Sequence, residues 1–199
     1  KIAFGMIVFE GDYVLKQCLE QVYPFAEQIL IAEGPVSYWQ RQGRTTSLDD
    51  TNKILDEFPD PDNKIKIVHG QFSEKDDQCK SYMDNIDDDL QSYVEPEEVI
   101  EFGFNLNEIV GTQGRSRSNN FLRIFRYTKG STWQTHRPPT IQYPEGSNIV
   151  RCHIDSNELW NKLGVQMYHY SYTFPDQVFK KVNYYKDSVS RQDCIDDYF

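Results

Sequence analysis

The chain predicts an α/β fold, an open and mostly parallel twisted sheet flanked by helices. Two observations carry this expectation. Strand-length apolar runs alternate three times with amphipathic helical stretches between Ile2 and Ile86, which is the pattern of a doubly wound parallel sheet. The first two of those strands also run into acidic residues, Glu10 with Asp12 and then Glu33 with Gly34. Open α/β sheets bind ligands in the crevice outside the carboxyl ends of their strands. Phe9, Glu10, Asp12, Glu33 and Gly34 are therefore the first candidate site residues.

The elements follow in order. Ile2 to Phe9 is a continuous apolar run, the signature of a strand buried on both faces. Asp12 stands where a helix N-cap belongs, and Val14, Leu15, Cys18, Leu19 and Val22 form one apolar helical face behind it. Pro24 closes that helix, and Gln28 to Ala32 is the second strand. The loop from Gly34 to Arg44 is polar and long enough to be functional, with Trp39, Arg41 and Arg44. Ser47 followed by Asp50 predicts a capping-box-like start to a second helix, whose inner face is Ile54, Leu55 and Phe58. Pro59-Asp60-Pro61 ends it, and Ile65 to Val68 is the third strand, ending at His69-Gly70. Cys79, Tyr82, Met83 and Ile86 then recur at helical spacing.

The alternation stops there. A fourth strand is due after Ile86, but Asp87 to Val94 is too short and too polar for one, and Glu95-Pro96-Glu97-Glu98 opens another helix at once. Either the chain takes a shortcut here or residues are absent between Leu90 and Tyr93, and the second is expected. The second half is different in character: a Gly/Ser/Arg loop with Arg115 and Arg117, a strand from Phe121 to Tyr127 that includes Arg123 and Arg126, and an aromatic, proline-rich stretch from Trp133 to Ile141. His169-Tyr170-Ser171-Tyr172 precedes a last helix with Val178, Phe179, Val182 and Tyr185 on one face.

Composition narrows the function. The 199 residues, 38% apolar and 14% aromatic, suffice for one domain with a real core. A net charge of −10 argues against nucleic acid, which needs a basic footprint. Cys18, Cys79, Cys152 and Cys194 show no C-x-x-C spacing, and two of them lie on apolar helix faces, so buried thiols in a reducing, cytoplasmic setting are expected. No apolar run approaches a membrane span. Neither a dinucleotide fingerprint nor a P-loop is present. The acidic first turn favours contacts to a base, a ribose or a sugar over direct phosphate binding. His69, His136, His153 and His169 include no i, i+4 pair, which argues against zinc.

The stretch IAFGMIVFEGDYVLKQCLEQVYPFAEQILIAEG resembles the N-terminus of family-2-type glycosyltransferases of the GT-A, Rossmann-like fold. The similarity continues through DDTNKILDEF, KIKIVHGQFSEKDDQCKSY, FLRIFRY, THRPPTI and HYSYTFPDQVFKKVNYY. The resemblance implies a single GT-A-type domain over 1–199, with a nucleotide-sugar-binding half at 1–95 and a mixed β and aromatic acceptor-side half at 96–199. It implies sugar transfer from a nucleotide-diphosphate sugar donor to a glycan or glycoprotein acceptor, assisted by Mn²⁺ or Mg²⁺ and inverting. A divalent cation stabilises the charge that develops on the leaving diphosphate, and both ions prefer oxygen ligands.

On this pattern Phe9, Glu10, Asp12, Glu33, Gly34, Gly70 and Gln78 meet the nucleotide sugar; for Gln78 a solvated helix face is the other reading. Asp87 and Asp89 satisfy Asp-x-Asp literally but precede a strand where the family's motif follows one. They are either metal ligands or a solvated turn. His169 either completes the cation shell or packs with Tyr168, Tyr170 and Tyr172. The base that deprotonates the acceptor is one of Glu95, Glu108, Asp155 or Asp176. Two rivals stand beside this reading. One is a sugar-phosphate nucleotidyltransferase, which Glu10-Gly11-Asp12 disfavours in place of a basic glycine-rich loop. The other is a GT-A-like module that binds nucleotide or glycan without turnover.

Overall fold

The computed structural model describes residues 2–87, 103–105, 120–122, 127–136, 139–146 and 174–185. Its contacts divide the chain into two compact units. The first comprises Lys1–Val99 with Phe125–Arg151, and the second Ile100–Ile124 with Cys152–Phe199.

The first unit is built on a parallel sheet of order β1 (Ala3–Val8), β2 (Gln28–Glu33), β3 (Ile65–His69). All six residues of β2 are buried, because it has a hydrogen-bonded neighbour on each side and a covered face on each side. The first strand departs from expectation. Only Val8 of β1 is buried, and its exposure pattern is that of a strand covered unevenly. Among the described residues it pairs with β2 alone, so the apolar run from Ile2 overstates its burial.

Strand alternation sorts the side chains into two layers. Phe4, Met6, Val8, Ile29, Ile31, Ile65 and Ile67 face helices α1 (Asp12–Val22) and α3 (Thr51–Glu57), packing with Leu15, Leu19, Ile54, Leu55 and Phe58. Each fully buried aliphatic side chain here contributes about 1.5–3 kcal/mol of transfer free energy. The opposite face carries α4 (Lys75–Met83), which contacts β1 and β2 and buries Cys79 and Met83. Tyr82 lies directly on β1 over Gly5, where an added Cβ would come within 2.5 Å of the ring and force it to shift. Helices thus flank both faces of the parallel sheet, an arrangement compatible with a Rossmann-like fold. A β-hairpin, β6 (Thr132–His136) with β7 (Pro139–Gln142), packs on α4. There Trp133 donates its indole N–H to Asp76 at 3.1 Å and meets Tyr82 edge-on.

Helix boundaries differ in informative ways. Gly11, not Asp12, is the N-cap of α1, and Asp12 is its first helical residue, where its charge suits the helix dipole. Helix α3 begins at Thr51 behind Asp50, four residues after Ser47, so the expected capping box at Ser47 is absent. Helix α4 does carry a capping box, formed by Glu74 and Asp77, which explains Asp77 without any ligand. A short helix α2 (Ser37–Gln40) lies inside the loop after β2.

In the second unit, β4 (Gly103–Asn105) pairs antiparallel with β5 (Asn120–Leu122), and α5 (Pro175–Tyr185) occupies the position expected of the last helix. Phe179 is exposed on it. Among the described residues no helix is long and apolar enough to cross a membrane.

Candidate functional site

The carboxyl ends of β2 and β3 are held side by side past the end of the regular sheet. Gly70 N donates to Glu33 O at 3.0 Å, Phe72 N to Pro35 O at 3.0 Å, and Val36 bridges Phe72. Gly34 makes this possible. Its φ is +144°, which a side chain rarely tolerates, and a Cβ would overlap the carbonyl oxygen of Gly70. Gln78, buried on α4, donates to the Gly34 carbonyl at 3.0 Å. Its role is to fix this turn from behind.

An open crevice of about 580 Å³ lies at that edge. Glu33, His69, Gly70 and Gln71 supply the strand-end wall, and Thr45, Thr46, Asn52 and Asp56 the wall from the loop and α3. Glu33 is 2% exposed. Its Oε1 accepts the Ser47 hydroxyl at 2.7 Å, and its Oε2 lies 3.0 Å from His69 Nδ1. Two partners of this kind are what a buried carboxylate requires.

The turn after β1 is stapled to the same loop. The Glu10 amide donates to Ser47 Oγ at 3.0 Å, the Gly11 amide to Thr51 Oγ1 at 2.8 Å, and the Asp12 amide to Asp49 Oδ2 at 3.2 Å. Glu10 itself has φ +52°, an uncommon conformation for a residue with a side chain. Its carboxylate pairs with Arg44, whose guanidinium lies over the Phe9 ring at 5.6 Å from its centroid. Phe9 also packs on Trp39. Phe9 and Glu10 therefore belong to one wall of packed side chains beside the crevice.

Of the expected nucleotide-sugar residues, Glu33 and Gly70 line the crevice, Gly34 and Gln78 shape the strand end behind it, and Phe9, Glu10 and Asp12 form the neighbouring turn. Ser47 and Thr51, which the sequence offered only as residues at the start of a helix, are the hydroxyls that tie this turn and Glu33 together. The Thr46-Ser47 hydroxyls before the helix were the only local signal, and that signal also fits a cap.

Asp87 lies elsewhere. Its carboxylate accepts from Gln28 Nε2 at 2.9 Å and pairs with Lys66, at the amino edge of the sheet. Helix α4 runs back against the strands and delivers the chain there. Gln28 and Glu33 stand at opposite ends of β2, five steps of the strand and about 16 Å apart at the usual rise, so Asp87 does not reach the crevice. Asp89 and His169 lie outside the described residues, as do Glu95, Glu108 and Asp155; Asp176 is in the first turn of α5. Among the described residues no group of three or more His, Cys, Asp or Glu side chains could hold a metal ion. Neither Cys18 nor Cys79 is in a disulfide, and burial pushes the Cys18 thiol pKa up. No protein-family model matches the chain, and no curated protein or solved structure is significantly similar to it.

Proposed function

We propose that the chain is a GT-A-type glycosyltransferase that moves a sugar from a nucleotide-diphosphate sugar to a hydroxyl of a glycan or glycoprotein acceptor, in the cytoplasm and with inversion. One observation supports this above the others: the crevice walled by Glu33, His69 and Gly70 sits at the carboxyl edge of a parallel sheet, where such folds take nucleotides. None of its eight lining residues is a lysine or arginine, which suits the nucleoside portion of a donor better than its diphosphate. Mn²⁺ or Mg²⁺, when bound, would offset the charge developing on the leaving diphosphate. The described residues do not assemble a site for that cation, so no step is routed through them; Asp89 and His169 are the proposed ligands.

The position of Asp87 favours a second reading, a nucleotide- or glycan-binding module without turnover, because it removes one expected cation ligand from the site. The test is release of nucleoside diphosphate from UDP-, GDP-, CDP- and dTDP-sugars with Mn²⁺, with and without oligosaccharide acceptors. Acceptor-stimulated release from one donor is expected. Retained nucleotide binding without release or transfer from any donor would establish the module instead.

A further inference from the structure

The resemblance assigns Glu33 to direct contact with the nucleotide, yet Glu33 is 2% exposed and both its carboxylate oxygens are engaged within the protein. His69 is the opposite case. Its side chain keeps 54% of its surface exposed, it lines the crevice, and only Nδ1 is tied down. We propose that His69 is the ligand-facing group of this crevice, with Nε2 accepting a hydrogen bond from a hydroxyl or N–H of a neutral, hydroxyl-rich ligand moiety, and that Glu33 is a positioning residue that fixes the ring from behind.

The chemistry follows from the donor inventory. A carboxylate only accepts, so the hydrogen in the Glu33–His69 contact sits on Nδ1, and the neutral ring then presents the Nε2 lone pair. Ser47 keeps the carboxylate from turning: its hydroxyl donates to Oε1 while its oxygen accepts the Glu10 amide. An exposed ring acceptor in a crevice lined by no lysine or arginine matches the O–H groups of a ribose or sugar ring. The identification of that moiety as the ribose of a donor nucleotide rests on the function proposed above. The orientation of His69 does not.

Long-range ¹H–¹⁵N spectra of the labelled protein in mildly alkaline buffer test the orientation directly. The His69 signals are identified by their loss in H69N. A hydrogen on Nδ1 and a lone pair on Nε2 are expected; the reverse tautomer overturns the proposal. Ribose, uridine and guanosine are then titrated as neutral probes. At least one should move the Nε2 resonance, and failure of all three overturns the ligand-facing assignment. In H69N the amide can still donate toward Glu33 but nothing occupies the Nε2 position, so affinity for the responding probe should fall about tenfold. Unchanged affinity also overturns the assignment. If the neutral probes act on Nε2 while no nucleoside diphosphate binds, the donor-site reading fails and the role of His69 stands.

Discussion

Gly34→Ala concentrates the account of the strand end into one substitution. The residue sits at φ +144°, and an added Cβ would overlap the carbonyl oxygen of Gly70, a backbone atom that cannot swing aside as a side-chain tip can. Holding alanine in such a conformation costs about 1–3 kcal/mol. Moving Gly70 away strains the hydrogen bond that its amide N–H donates to Glu33 O at 3.0 Å, worth about 0.5–1.5 kcal/mol. If the Gly34 carbonyl turns as well, the buried Gln78 amide loses its acceptor, which adds about 1–3 kcal/mol. Together these give roughly 3–7 kcal/mol, a large part of the 5–15 kcal/mol stability of an ordinary domain. With a urea slope of about 2 kcal/mol/M, the midpoint should drop by about 1–4 M. Gly43→Ala is the control, because φ is +78° there but nothing lies within 4 Å of the added carbon. Its loss should be about 1–2 kcal/mol, from backbone strain alone. Equal shifts for the two variants would refute the claim that the Gly34–Gly70 approach holds the crevice wall.

Three further outcomes are expected. Ser47→Ala removes the donor to a buried carboxylate and the acceptor of the Glu10 amide together; thermal or urea unfolding should show a loss of about 2–3 kcal/mol, and a loss below about 0.5 kcal/mol would contradict the linkage. Asp87→Ala should leave nucleotide affinity and its metal dependence unchanged, since Asp87 is held at the far edge of the sheet by Gln28 and Lys66; calorimetry showing lost metal dependence would place it in the site after all. For Asp60, burial raises the carboxyl pKa, but the Ile65 and Lys64 amides, the Tyr23 hydroxyl and the Lys64 charge outweigh it and hold the pKa below the usual value. A depressed folded pKa stabilises above the unfolded value of about 3.9 and loses that contribution as pH falls through the folded one. Asp60→Asn should therefore flatten the acid limb of stability against pH below about 4, and an unaltered limb would count against the assignment.

How much of this was legible in the sequence depends on the range of the contact concerned. The order of β1, α1, β2, α3, β3 and α4 could be read because each element carries its own apolar period, and the strand-end position of Glu33 followed from that order. The burial of β1 could not be read, because a run of apolar residues does not reveal how many neighbours a strand has. Ser47 looks like a helix cap because caps are local. Its actual partners, Glu33 and the Glu10 amide, are 14 and 37 residues away. The pairing of His69 with Glu33 spans 36 residues and depends on the β2–β3 register, which places the two opposite each other. Asp87 shows the reverse error: Asp-x-Asp is a local pattern, and only the path of α4 back along the sheet shows which edge it occupies.

Calorimetric titration of UDP, GDP, CDP and dTDP, each with and without Mn²⁺, decides whether the crevice holds a nucleotide-sugar donor. One diphosphate should bind tightly, binding should require the metal, and His69→Asn should weaken it about tenfold. Failure of all four to bind the intact protein, with or without Mn²⁺, would contradict the assignment of the Glu33–His69–Gly70 crevice as a donor site.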